Sequence, residues 1–200
     1  MIEFRMYTGA QAPDDLFRFR YAVYVEEMNR KQRYALHDTR MIIDPLDTTG
    51  RQLIAYSDDR IVGCIRINCL ADGDVGEYFD FYGLSALTAE ERDVSCITTR
   101  LMVDPQFRRT KLPLDLLTRI YAYGLLWGMR WSFMDCNEHL VEYFGRFGWR
   151  NLGVKTHEDY GAVTIMSLDL HDGESLDRRG SPFAAAYRAW RSRAQPLAAE

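Results

Sequence analysis

The sequence has no apolar run near the roughly 20 residues that a membrane-crossing helix needs. Its opening residues, MIEFRMYTGAQAPDD, carry an early acid and no apolar signal core, so neither a membrane span nor secretion is expected. Positive charge is not in excess: 25 Lys and Arg stand against 29 Asp and Glu, for a net charge of −4. That balance argues against a general nucleic-acid surface. No CxxC pair occurs among Cys64, Cys69, Cys96 and Cys136, and the histidines at 37, 139, 157 and 171 lack metal-ligand spacing. No metal is therefore expected. Four cysteines allow two disulfides, but their apolar, strand-like neighbours favour buried thiols in a reducing cytoplasm. Internal repeats and low-complexity tracts are also missing.

What is present suits one soluble globular domain with a substantial core. The chain has 200 residues, 47% hydrophobic and 27% charged, too few for two comfortable domains. Residues 2–8 alternate as a strand. LFRFRYAVYVEEM, after Pro13 and two aspartates, reads as a helix. Residues 28–50 are polar and irregular, with Asp44-Pro45 and Thr49-Gly50 as turn signals. RQLIAYS and RIVGCIRINCL, separated by Asp58-Asp59, predict a hairpin with a bulge near Gly63. A short helix and loop follow, then CITTRLMV as a central strand. Pro113 opens a helix whose Gly124 and Gly128 permit close packing on a sheet. WSFMDC is a strand, NEHLVEYFGRFG a helix, and AVTIMSLDL a final strand. FAAAYRAWRSRA predicts an amphipathic helix before a frayed end. This order gives an α/β (α+β) fold with one strand–helix crossover near the middle.

The stretch TTRLMVDPQFRRTKLPLDLL stands out. It lies at a strand–turn–helix junction, where α/β enzymes often hold a phosphate with glycines, yet it offers Arg108, Arg109, Lys111 and Pro113. Together with NEHLVEYFGRFGW and the hairpin ending in GCIRI, it resembles the Gcn5-related N-acetyltransferase superfamily. FRYAVYVEE, Asp44 and Asp47, Arg66, ITTRLMV and GAVTIMSLDLHD are similar to the N-acyl amino acid synthases and, more distantly, the N-acyl homoserine lactone synthases. The resemblance covers roughly residues 16–172. It implies a mostly antiparallel twisted sheet flanked by helices, with a V-shaped splay between strands 96–103 and 131–136. The domain is expected over 1–172, with 173–200 as a turn and helix extension.

The resemblance also implies roles. Backbone groups of Leu101, Met102 and Val103 would hold the pantetheine arm of an acyl thioester and lie near its carbonyl, where a fixed N–H stabilises an oxyanion. Acetyl-coenzyme A users of this fold carry two glycines in the turn; here Lys111 and Pro113 take those places. Arg108, Arg109 and Lys111 suit a single phosphopantetheine phosphate on an acidic acyl carrier protein, with a solvated basic turn as the plainer reading. Thr98 and Arg100, both candidate catalytic residues, share one strand face by parity, with Thr99 on the other. Arg100 matches the arginine of the lactone synthases' E-x-S-R motif, but Ile97 replaces its glutamate.

An ammonium must lose a proton before its nitrogen attacks. Asp44 and Asp47 are the family-matched substitutes for that base, against ordinary turn chemistry around Pro45. Arg66, inside an apolar strand, must find a partner: Asp44, Asp47 or an acceptor carboxylate. Arg20 is a weaker acceptor-binding candidate, with a surface position the plainer alternative. The late-helix position of the superfamily's acid tyrosine falls on Phe144, one residue after Tyr143. Tyr78, Phe79, Phe81 and Tyr82 can line an acyl tunnel or the core.

The expected activity is a cytoplasmic N-acyltransferase. It would move a medium or long acyl chain from a carrier-protein thioester to the primary amine of an amino acid or peptide by direct attack, with no bound cofactor. The alternatives are a short-chain acetyltransferase using coenzyme A and a catalytically inactive acyl- or carrier-binding module.

Overall fold

The computed structural model describes residues 1–159 and 161–194. It opens with β1 (Ile2–Thr8) and α1 (Asp14–Tyr21), whose spiral widens to a π-type turn over Ala22–Glu27. The polar segment after it holds a hairpin of two-residue strands, β2 (Ala35–Leu36) with β3 (Met41–Ile42), and a 3-10 turn at Pro45–Asp47. The β-branched runs then form the expected hairpin of β4 (Arg51–Ser57) and β5 (Arg60–Cys69). Its register slips one residue beside Gly63, where Ala55 pairs Gly63 and Tyr56 pairs Ile61. Short helices α2 (Tyr78–Phe81) and α3 (Ala89–Asp93) lead into β6 (Ser95–Val103).

The helix α4 (Leu112–Leu126) is the crossover that returns the chain to β7 (Trp131–Cys136), parallel to β6. Pro113 sits in its first turn. Gly124 does allow a close approach, since a Cβ there would stand 2.9 Å from Leu170 Cδ2. Gly128 instead ends the helix at φ +76°, a conformation that other residues adopt only under strain. The chain continues through α5 (Val141–Gly145), β8 (Arg150–His157), β9 (Gly161–Asp169), α6 (Gly173–Arg178) and α7 (Ala184–Ala194). The expected frayed end, 195–200, lies outside the described residues.

The seven-stranded sheet runs β1-β4-β5-β6-β7-β9-β8, antiparallel except for β6 with β7. β8 is a strand that the sequence pattern did not predict. Seven of its eight residues are exposed, and the alternating pair Leu152 and Val154 is too short a pattern to mark it. One core layer packs α4 against the sheet through Leu116, Leu117 and Ile120, and the last helix joins it. Phe183 is 1% exposed and stacks on Tyr121 at 4.3 Å between ring centres. On the opposite face, Leu16 and Phe17 of α1 pack on Ile54 and Cys64, while Tyr78, Tyr82 and Leu84 cover Ile97, Phe133 and Ile165.

Candidate active site

The parallel pair is short. Ser95, Cys96 and Ile97 pair with Trp131, Ser132 and Phe133, and the two strands then part, which is the expected splay. The gap opens a cavity of about 460 Å³, within the usual size for a small-molecule site. It passes through the sheet, because residues of both faces line it. Thr98, whose Oγ1 lies 2.9 Å from Ser132 Oγ, belongs to the α4 face; Thr99, Arg100 and Tyr78 line it from the other. Leu101, Met102, Val103 and Arg108 complete the β6 wall. The Asp104 N–H donates to the Val62 carbonyl at 2.9 Å. By the alternation of an antiparallel ladder, the N–H groups of Leu101 and Val103 therefore point away from β5, into the gap.

Arg100 is not where strand parity put it. Cys64 pairs with Met102 and Arg66 with Thr99, so two residues of β6, Arg100 and Leu101, oppose Ile65 alone. Arg100 takes φ +58° within this bulge. A left-handed residue in a bulge re-aims its side chain, and Arg100 turns to the face of Thr99 instead of that of Thr98. A non-glycine residue held at such a φ costs about 1–2 kcal/mol, a strain of the kind that gathers at functional sites.

Behind Arg100 lies a buried ionic network. Asp44 caps the 3-10 turn Pro45–Asp47, accepting from the Leu46 N–H, while Asp47 Oδ2 accepts from the Asp44 N–H. Arg66 Nη1 donates to Asp44 Oδ1 at 2.5 Å and Asp47 Oδ1 at 2.9 Å, and its Nε to Thr99 Oγ1 at 3.0 Å. Arg100 donates to Asp44 Oδ2 from Nη2 at 2.6 Å and from Nε at 3.1 Å. Arg20 is 0% exposed, which corrects the surface alternative: it donates to both Asp47 oxygens at 2.8 Å and to Gln52. Gly50 leaves the space this needs, since a Cβ there would sit 2.8 Å from Arg66 Cδ.

Turn chemistry and arginine pairing thus coexist at Asp44 and Asp47. Burial pushes the Asp44 carboxyl up, but Arg66, Arg100 and Arg20 outweigh it and hold it well below the ordinary 3.8. Such a group is a poor proton acceptor. Among these five ionised side chains, three guanidiniums face two carboxylates, so the network carries one excess positive charge. Arg100 alone of the five lines the cavity.

The basic turn divides in two. Arg108 donates from Nε to the Val103 carbonyl at 2.9 Å and pairs both Nη atoms with Glu27 at 2.6 Å. Arg109 and Lys111 are exposed, without an ion pair among the described residues. On α5, Phe144 is buried and lines the cavity, while Tyr143 is 37% exposed and turned outward. All four cysteines are free and buried, and burial pushes Cys136, which lines the cavity, up to about 11 and Cys96 to about 12.

One carboxylate in the cavity had not been singled out from the sequence. Asp135 of β7 lines the gap, and its Oδ1 accepts from the Tyr82 hydroxyl at 2.6 Å. Burial raises its carboxyl, and the Tyr82 hydrogen bond with the charges of His157 and Arg100 only partly offsets that. The signal was available: an ionisable residue in the apolar run WSFMDC needs a partner as much as Arg66 does.

The family model described as N-acyl amino acid synthase FeeM matches residues 15–169. The structure of FeeM, an N-acyl amino acid synthase from uncultured soil microbes, superposes with a TM-score of 0.64 at 14% identity, covering 86% of this chain and 94% of that one. MesI, a CoA-dependent acyl-homoserine lactone synthase, gives 0.69 at 19% identity over 93% and 95%. BjaI, a COA-dependent acyl-homoserine lactone synthase with SAM and isopentyl-CoA, gives 0.66 at 19% over 88% and 90%. Among curated protein sequences, none matches this chain.

Proposed function

The chain belongs to the N-acyl amino acid synthase FeeM family and is an N-acyltransferase, and from that premise we propose that it moves a medium or long acyl group from an acyl carrier protein thioester to the amine of an amino acid or peptide. The observation that carries this reading is the cavity between β6 and β7. The pantetheine arm lies along Leu101, Met102 and Val103, where the inward N–H groups of Leu101 and Val103 hold its amides and the oxyanion. The acyl chain points between the strands, past Thr98. Attack by the amine is direct, because thiols raised by burial are not nucleophiles.

The acceptor enters from the Arg100 side. Arg100 presents the excess positive charge of the network to the acceptor carboxylate. Arg20, Arg66, Asp44 and Asp47 act through Arg100, holding its guanidinium in place and setting the field at the cavity. No bound cofactor is needed for this transfer.

The turn selects the donor. Arg109 and Lys111 meet the acidic surface of the carrier, and Arg108 exchanges Glu27 for the single phosphate. Arg109→Glu or Lys111→Glu should lower kcat/KM for an acyl carrier protein about tenfold and leave a short pantetheine thioester unchanged. The carrier reaction should weaken with salt as the Debye length shrinks from ~10 Å at 0.1 M to ~3 Å at 1 M. Kinetics with both donors at two salt concentrations checks this. Equal loss with both donors, or acyl-coenzyme A as the better donor, would favour a conventional phosphate cradle.

A further inference from the structure

We propose that Asp135 is the general base that takes the proton from the acceptor's ammonium, with the Tyr82 hydroxyl positioning its carboxylate; this rests on the N-acyltransferase reading above. Asp135 lies two residues beyond Phe133, whose partner across the parallel pair is Ile97. It therefore shares the face of Ile97 and Thr99, at the level where β6 and β7 separate. A thioester arm along β6 and the amine of an acceptor whose carboxylate Arg100 holds converge there.

The other carboxylates on this face are already engaged. Every oxygen of Asp44 and Asp47 accepts from an arginine, whereas Asp135, whose Oδ1 takes a phenol hydrogen bond, has no ion pair with an arginine among the described residues. The groups facing Asp135 are Tyr82 and Tyr78 near α2, Arg100 on β6, His157 on β8 and the adjacent Cys136. A carboxylate raised by burial is a stronger base than an ordinary aspartate, as proton abstraction requires. His139 also lines the cavity, but from the exposed turn before α5.

The proton path closes. Asp135 takes one proton from the ammonium, and the freed nitrogen lone pair forms the C–N bond at the thioester carbonyl. The carbonyl electrons move to oxygen, held by the β6 N–H groups. They return as the C–S bond breaks; the nitrogen's second proton ends on the departing sulfur, giving amide and free thiol. The proton on Asp135 leaves to solvent through the cavity mouth.

The test is the pH profile of kcat/KM for amide formation by wild type, Asp135→Asn, Tyr82→Phe and His139→Gln, each checked for folding by thermal melt. Asp135→Asn should lose about 10²–10⁴-fold near neutrality. Its deficit should narrow as pH rises, because an amine already free needs no base. Tyr82→Phe removes a hydrogen bond that lowers the Asp135 carboxyl, so its acid limb should move to higher pH. His139→Gln should keep the wild-type profile. A folded Asp135→Asn whose profile runs parallel to wild type, or an acid limb that disappears with His139→Gln, would overturn the proposal. Should Asp135→Asn not fold, an unmoved limb in Tyr82→Phe overturns it equally. Wild-type protein that forms no amide would instead bring down the acyltransferase reading, and this proposal with it.

Discussion

Asp44→Asn should destabilise the fold by about 3–5 kcal/mol, the usual penalty for stripping one partner from a buried ion pair. At about 2–4 °C per kcal/mol for a domain of this size, the melting temperature should fall by roughly 6–20 °C. Asparagine still caps the Pro45–Asp47 turn, so the loss reports charge, not local geometry. It would leave Arg20, Arg66 and Arg100 sharing Asp47 alone. Arg66→Met should cost less, because it leaves two guanidiniums with two carboxylates. Acid should begin to remove the same contribution once pH falls below 3.8. The Asp44 carboxyl is held below its ordinary 3.8, so its contribution is complete above that value and is lost as pH falls towards the folded-state value. Thermal melts of both variants from pH 7 down to about 3 check this. An Asp44→Asn protein that melts with wild type, or an Arg66→Met protein that suffers more, would refute the charge count.

Replacing Arg100 should cut acceptor use by about 10–150-fold, corresponding to the ~1.5–3 kcal/mol of a hydrogen bond to a charged group. The bulge provides an internal control. Arg100→Ala keeps a side chain at φ +58°, whereas Arg100→Gly relaxes that strain. Both variants should lose kcat/KM for the acceptor, and the glycine variant should melt about 1 kcal/mol higher than the alanine one. The loss should appear chiefly in the acceptor KM, with the donor KM little changed. Activity that tracks stability across the two variants would make Arg100 structural only.

Particular residues show how far the sequence could be read. The hairpin at 51–69 was legible because apolar residues fill both strands, β-branched ones chiefly in the second, and both are largely buried. β8 was not, because an exposed edge strand has no face to bury. Arg66 was legible as a cation in an apolar strand, and its partners are two of those expected, Asp44 and Asp47. Arg20 was harder: on α1 the alternation FRFRY suits a surface arginine, and only the tertiary position of Asp47 and Gln52 shows otherwise. The facing of Arg100 could not be read, since nothing in ITTRLMV marks a left-handed residue. Asp135 was readable by the same logic as Arg66.

Incubating the purified protein with a dodecanoyl acyl carrier protein and a mixture of amino acids, while following free thiol and amide by mass spectrometry, tests the central claim most directly. N-acyl amino acid should appear in step with released thiol, with no acylated form of the enzyme. Thiol release accompanied only by free fatty acid, or no release with any donor, would contradict the account.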